Sequence, residues 1–213
     1  MRQKLRELLL PQPKAKIKAG DGMNKGKYKF FTSSAAQSKY YSSALYNQPA
    51  LIFGTGGAAS VHFCKEPFST STDCLVMYGT EETNLEMIFY YLRTHMHILQ
   101  AGFKGAGLQH ISKEYILDIE VDLPGIDIQA KIVEQNRLLD RLISSRNTQC
   151  DLLDKAVKSR FVELFGDPVS NPMKWSVKML KDLSVQINSG NTPKGGSENY
   201  VEEGITFFRS QNV

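Results

Sequence analysis

Between Asp127 and Phe165 the chain carries neither proline nor glycine, the two residues that most readily end a helix. Within that stretch Ile132, Leu139, Ile143, Cys150, Leu153, Val157, Phe161 and Leu164 follow one another in steps of 3, 4 or 7. Such spacing gathers side chains onto one side of an α-helix. Pro124-Gly125 precedes the stretch, Asp127 stands where it can cap the N-terminus, and Gly166 with Pro168 closes the far end. At ~1.5 Å per residue one helix here runs roughly 58 Å. That exceeds what a compact domain of this size needs, so much of the apolar stripe requires a partner helix. Arg146 and Gln149 interrupt a strict heptad, which leaves the seam imperfect. Two shorter helices packed on the domain, with a break near Ser144-Ser145, are the alternative.

Ahead of this helix the pattern is mixed. Ala50 to Phe53 and Val61 to Phe63 read as strands around the turn Gly54-Thr55-Gly56-Gly57, and Cys74 to Tyr78 as another short strand. Thr83-x-x-Glu86 has the form of a capping box, after which Leu85, Ile88, Phe89, Leu92, Met96 and Leu99 recur at helical spacing up to Gly102. Ile116 to Leu123 alternates as a strand before Pro124. The expected fold is α+β: a globular domain over residues 1–123, a long helix over 124–166, and a third zone over 167–213. Asp167-Pro168 and Asn171-Pro172 make a rigid entry to that zone, which is marginal as an independent core. It reads as a domain starting again. Leu5-Arg6-Glu7-Leu8 reappears as Leu180-Lys181-Asp182-Leu183, and Gly26 to Ser33 reappears as Gly204 to Ser210, offset by about 175 and 177 residues. A period that long is a domain rather than a solenoid unit. On this reading the chain holds one complete unit and the opening of a second, stopped at Val213.

The net charge of +4 is unevenly placed. Residues 1–31 hold nine Lys/Arg against Glu7 and Asp21, and six of those lysines (Lys14, Lys16, Lys18, Lys25, Lys27, Lys29) alternate in two bursts. In an extended segment alternation puts side chains on one face, where they can follow a phosphate backbone. A solvated basic edge that blocks strand pairing is the plainer reading. Three cysteines without a CxxC pair argue for a reducing compartment, and no apolar run approaches the ~18–20 residues that span a bilayer. Leu8-Leu9-Leu10 is stopped at once by Pro11, so a cytoplasmic protein is expected.

Catalytic signatures are weak. Gly54-x-Gly56-Gly57 lacks the Lys-Ser/Thr of a P-loop, and His95-x-His97 in a helix would point its rings apart. His62 and His110 have no neighbour to orient them, and no Ser or Cys sits in a nucleophile elbow. Asn171-Pro172-Met173-Lys174 is only faintly similar to the Asn-Pro-Pro-aromatic loop of amino-methyltransferases. No enzyme and no metal site is expected.

A family resemblance is carried by several motifs in order. Gly105-Ala106-Gly107-Leu108-Gln109-His110-Ile111, then Ile119-x-Val121-x-Leu123-Pro124, then Gln129, Ile132-Val133 and Leu138-Leu139-Asp140 resemble the end of a target recognition domain entering a long spacer helix. Ser159 to Pro168, with Asn171-Pro172 and Trp175, is similar to the exit of such a helix. Lys16 to Gly22, with Lys27-Tyr28 and Phe30 to Ser34, is similar to one variety of recognition-domain opening. The family is that of the specificity subunits of type I restriction-modification systems.

The resemblance implies that the domain grips one half of a bipartite double-stranded DNA site. It implies too that the helix fixes half-site spacing and docks the DNA-methylating subunit. Two such helices normally pair antiparallel within one chain; here there is one. A homodimer is therefore expected, its antiparallel helices meeting through Ile132, Leu139, Ile143, Leu153, Val157 and Phe161. The six lysines named above would hold phosphates, with Thr32, Ser33, Ser34, Gln109 and His110 as the candidates for reading bases, the last two beside the Gly102–Gly107 loop, whose Lys104 is a further DNA-binding candidate. S-adenosylmethionine and ATP would belong to the methyltransferase and the restriction/translocase subunits, with no cofactor in this chain. A helical adapter or decoy that binds the methyltransferase without reading DNA is the alternative class. A fused restriction enzyme would need nuclease or methyltransferase motifs.

Overall fold

The run Ala50-Leu51-Ile52-Phe53 shows no polar alternation because both of its faces are covered. It forms β5 (Ala50–Gly54), buried at every position. A computed structural model, describing residues 2–81, 83–188, 190, 194–195, 200–201 and 206, sets this strand inside a four-stranded antiparallel sheet. Its neighbours are β8 (Cys74–Gly79) and β6 (Ser60–Cys64), and β2 (Leu9–Pro11) pairs with β8, in the order β2–β8–β5–β6. Leu51 and Phe53 enter one cluster with Leu5, Met77, Ile88, Leu92, Ile116 and Val121. Ala50 and Ile52 enter another with Phe31, Tyr46, Phe68, Cys74 and Val76. A strand shared by two cores has no solvent face, so the sequence reads as continuously apolar.

The second cluster is closed by a three-stranded sheet. There β3 (Tyr28–Phe31) pairs antiparallel with β4 (Lys39–Tyr41) and parallel with β7 (Phe68–Thr70). At the chain's start β1 (Arg2–Lys4) pairs antiparallel with β9 (Glu120–Asp122), and the short α1 (Leu5–Leu8) follows it, with Leu5 fully buried.

Three local expectations are corrected. The helix expected from Thr83 to Gly102 is two: α2 (Leu85–Thr94) and α3 (Met96–Ala101). Thr94 donates its hydroxyl to the carbonyls of Tyr90 and Tyr91, and His95 Nδ1 lies 2.8 Å from that of Tyr91, so side chains compete for the backbone and end the first helix. Its cap is Asn84, which accepts from Met87 N–H at 3.1 Å, rather than Thr83. Thr83 donates instead to Leu8 O, and Glu86 turns away from the cap altogether. The strand expected over Ile116–Leu123 shrinks to β9, because Ser112 accepts from Tyr115 N–H and starts α4 (Lys113–Asp118). Its inward alternation survives, with Ile119, Val121 and Leu123 buried.

The long element is one helix, α5 (Ile126–Phe165), unbroken at Ser144-Ser145. Forty residues correspond to ~60 Å. Gly125 carries the first carbonyl, accepting from Ile128 and Gln129, so Asp127 lies inside the first turn rather than at the cap. Its charge there still suits the helix dipole. Gly166, at φ +78°, donates to Val162 O and ends the helix in the left-handed conformation.

Contacts divide the chain into two units, Met1–Cys150 and Asp151–Val213. In the second, Asp167 collects Val169 N–H, Ser170 N–H and the Ser170 hydroxyl, bonds that hold its carboxyl below the usual range. Trp175 donates its indole N–H to Phe165 O at 2.7 Å. Leu180–Leu183 forms a four-residue helix, α6, as Leu5–Leu8 does, and the flanking dihedrals match: ψ 144° before α1, 145° before α6. Leu5 is buried, whereas Leu180 is 72% exposed. Of the second repeat anchor, only Thr206 falls among the described residues, and the expected closing strand lies outside them. No helix among the described residues is long and apolar enough to cross a membrane.

Candidate nucleic-acid interface

Four segments that are remote in sequence hang from one tight turn, Ser71–Asp73, between β7 and β8. Thr72 donates to Ile17 O, which fixes the basic opening segment, and Ser71 donates to Phe31 O at the end of β3. The Asp73 carbonyl accepts from Ser33 Oγ at 2.6 Å, Thr55 N–H at 2.8 Å and Thr55 Oγ1 at 3.0 Å. The Thr55 carbonyl in turn accepts from Ile111 N–H, and His110 Nδ1 lies 3.1 Å from it. Lys104 and His110 exchange both backbone hydrogen bonds, and Gly57 donates to Gln109 O. Gly54 makes the approach possible: a Cβ there would fall 2.8 Å from the Ser33 backbone and 2.2 Å from Ser60 Oγ.

This arrangement sorts the candidates. Lys16 and Lys18 flank Ile17 and are exposed, as is Lys14, while Ala15 between them is buried, so the alternation is real. Lys104, Gln109, His110 and Ser34 are exposed on the neighbouring loops. Thr32 accepts from Ser34 N–H, and His62 Nε2 lies 2.9 Å from Ser34 O. Ser33 is occupied structurally: it donates to Asp73 and accepts from Gly56 N–H, so it builds the edge instead of offering itself to a ligand. Lys25, Lys27 and Lys29 belong to the opposite, N-terminal end of β3. Lys29 is paired with Glu66 at 3.1 Å, and its ammonium holds that carboxyl below the usual range. Lys27 lies over the Tyr28 ring. Lys4 and Arg6 both pair with Asp118, so part of the basic opening is neutralised at home. Among the described residues no ion pair engages Lys14, Lys16, Lys18, Lys25 or Lys104.

No group of three or more His, Cys, Asp or Glu among the described residues could hold a metal ion. His95 stacks on Tyr91 and closes α2. Burial pushes the thiols of Cys64 and Cys74 up to about 11, leaving them neutral, while Cys150 is exposed on α5.

The helix presents two faces. Gln129, Ile132, Val133, Asn136 and Asp140 are at least half-buried against the domain, with Val133 fully inside its core. Leu139, Ile143, Leu153, Val157 and Phe161 are half or more exposed, as are Leu138, Leu142 and Leu164. At ~100° per residue the docked set and the stripe are centred roughly 70° apart, and Ile132 belongs to both. Within the first unit docking leaves Leu139 and Ile143 exposed.

Ion pairs that the sequence pattern does not reveal hold the docked face. Arg137 makes a two-pronged ion pair with Glu86, which also pairs with Lys65 at 2.8 Å. Burial alone would raise the Glu86 carboxyl, but the hydrogen bonds from Arg137 and Lys65 bring it below its usual value. Asp140 receives both Arg93 nitrogens, at 3.0 and 2.8 Å, and the Tyr90 hydroxyl at 3.1 Å. Arg93 and Tyr90 lower the Asp140 carboxyl, and burial together with Asp140 pushes the Tyr90 phenol up to about 12. These partners are some fifty residues apart in the chain, beyond any local pattern.

The fold, an α+β domain with a forty-residue helix emerging from it, is similar to that of solved S subunits. The S subunit of a type I restriction-modification system from M. genitalium superposes with a TM-score of 0.66 at 15% identity, over 78% of this chain and 45% of that one. An HsdS subunit from Thermoanaerobacter tengcongensis gives 0.50 at 13% identity, over 68% and 38%. Residues 4–150 match the family described as the type I restriction modification DNA specificity domain, and the chain belongs to that family. A relative of known class, the type I restriction enzyme MjaVIII specificity subunit of Methanocaldococcus jannaschii, is 27% identical over 183 residues, covering 78% of this chain and 41% of its own length. The chain thus spans less than half the length of the relatives it matches.

Proposed function

We propose that this chain is a DNA-reading specificity module that grips one half of a bipartite duplex site, presents it to a methyltransferase subunit and itself performs no chemistry. The observation that carries this reading is the edge built around Asp73, where Lys16, Lys18 and Lys104 stand unpaired beside the exposed Ser34, Gln109 and His110. Cations without partners suit phosphates, and amide, hydroxyl and imidazole groups on loop tips suit base edges. Lys14 extends the row, while Lys25 and Lys27, just before β3, would meet a phosphate further along the duplex. Methyl transfer with S-adenosylmethionine, and ATP-driven translocation, belong to partner subunits in the cytoplasm.

The free stripe of α5 supports a homodimer. Ile132 and Leu164, Leu139 and Val157, and Ile143 and Leu153 lie pairwise equidistant from Thr148. Two antiparallel copies centred there would set each against its counterpart, with Arg146 near Asp151 and Arg141 near Asp154 of the other copy. Such a dimer reads a palindromic, gapped site.

The test is duplex binding by the full chain across a salt series. A reader loses affinity steeply with salt yet keeps preference for one sequence. Weak binding that is blind to sequence would refute the reading and favour the adapter.

A further inference from the structure

We propose that Arg137 and Asp140 of α5, with Glu86, Tyr90 and Arg93 of α2, are positioning residues that fix the direction in which the helix leaves the recognition domain and so set the gap between half-sites. The link to the gap rests on the function proposed above; the link to helix direction does not. Val133 is the last helix residue buried in the domain core, and Arg137 and Asp140 follow one and two turns later. Every residue from Arg141 to Cys150 is exposed. The two ion pairs are therefore the final contacts before the helix runs free, where restraint has the greatest effect on its angle.

Their signs also fix register. Arg137 meets an acid and Asp140 a base, one turn apart, while Glu86 and Arg93 stand two turns apart on α2. Sliding α5 by one turn so that Asp140 replaced Arg137 would set two carboxylates together at Glu86. A mismatch of that kind excludes the neighbouring register more firmly than loss of contact does. Glu86 is 8% exposed and has two cations on it, so it cannot be left unpaired cheaply. An apolar face alone would tolerate rocking; a buried carboxylate held by Arg137 and Lys65, with a second bidentate pair one turn on, does not.

The test uses the full chain carrying Cys150→Ser, with spin labels on Ser145→Cys and Ser38→Cys, both exposed and off the apolar stripe, diluted into unlabelled chain; Cys64 and Cys74 are buried. The labelled chain with Arg137 and Asp140 intact is expected to give a narrow distance distribution. Arg137→Ala with Asp140→Ala is expected to widen it about twofold at unchanged helix content, since the clamp restrains a ps-to-ms swing rather than the helix itself. In an Arg137→Ala chain the swapped pair Arg93→Asp with Asp140→Arg should give a narrower distribution than Arg137→Ala with Asp140→Ala. An unchanged width in the double variant, with circular dichroism unaltered, overturns the clamp. A second measurement selects duplexes from a random library. The original chain should enrich two half-sites at one gap, and the double variant the same half-sites over several gaps, each step being ~3.4 Å. One gap retained by the variant overturns the spacing role. Enrichment of isolated half-sites by the original chain overturns the bipartite reading and the spacing role with it, while the distance measurement still judges the clamp.

Discussion

Leu153→Glu is the sharpest probe of the free helix face. The side chain is 66% exposed and sits in the stripe with Val157 and Phe161. Complete burial of a leucine is worth ~1.5–3 kcal/mol, so covering two-thirds of this one contributes ~1–2 kcal/mol per copy. A twofold dimer counts it twice. Glutamate forfeits that contribution and places a carboxylate where a second helix would desolvate it, at a further cost of several kcal/mol unless paired. Leucine and glutamate have similar helix propensity, so α5 itself should persist. Together these terms weaken self-association by at least about 100-fold, equivalent to ~2.8 kcal/mol. Sedimentation velocity over a concentration series reads the change directly, with Lys155→Ala, on the opposite side of the helix, as the control. If Leu153→Glu and the original chain sediment alike at every concentration, with equal helix content, the stripe is not a self-association face.

Three further outcomes follow from the geometry. Lys16→Glu and Lys18→Glu should each lower the steepness of duplex affinity against salt by about one unit, whereas Lys29→Ala, whose charge is already matched by Glu66, should leave it nearly unchanged; a binding titration at several salt concentrations decides. In dilute chain, below the concentration of self-association, a thiol reagent at mildly alkaline pH should modify Cys150 quickly, and Cys64 and Cys74, raised to about 11 by burial, only on unfolding; mass spectrometry of the modified chain checks this. Glu86 and Asp140 both have lowered carboxyl values in the folded state, so the unfolded chain binds more protons there. The stability they contribute is present above the ordinary carboxylate range and is lost as pH falls through their folded values; Asp140→Asn should flatten that part of the denaturation profile, and an equally steep profile would count against it.

The long helix was legible because its signals are local. Absence of Pro and Gly, an apolar period and a terminal glycine all act within a few residues, and α5 ends where Gly166 takes a positive φ. The strands β5, β6 and β8 were legible as apolar runs. What failed were boundaries decided by competition among neighbours: Asn84 against Thr83 for the cap, Thr94 and His95 against the helix ladder, and Ser112 against the strand. Glu86 looked like half of a capping box because a glutamate three residues past a cap and one aimed at Arg137 are the same letter. The candidate interface was half legible. Alternation marked Lys14, Lys16 and Lys18 as a surface row, yet only the fold separates Lys16 and Lys18 at the Asp73 edge from Lys29 at the far end of β3. Ser33 stood among the base readers by its neighbours, while its hydroxyl is engaged by Asp73 and Gly56.

The turn at Ser71–Asp73 has a consequence for how such a protein can change. Apart from Ser33, Thr55 and His110, the bonds that hang the loops from it run from backbone to backbone: Thr72 to Ile17, Ser71 to Phe31, Thr55 to Asp73, Ile111 to Thr55 and Gly57 to Gln109. Backbone groups are common to nearly all residues, so the tips at Lys16, Ser34, Lys104 and Gln109 can be rewritten without unmaking the edge that carries them. If those tips read DNA as proposed above, specificity would drift one letter at a time over an unaltered chassis, and the fold would be a permissive substrate for the invention of new recognition sequences.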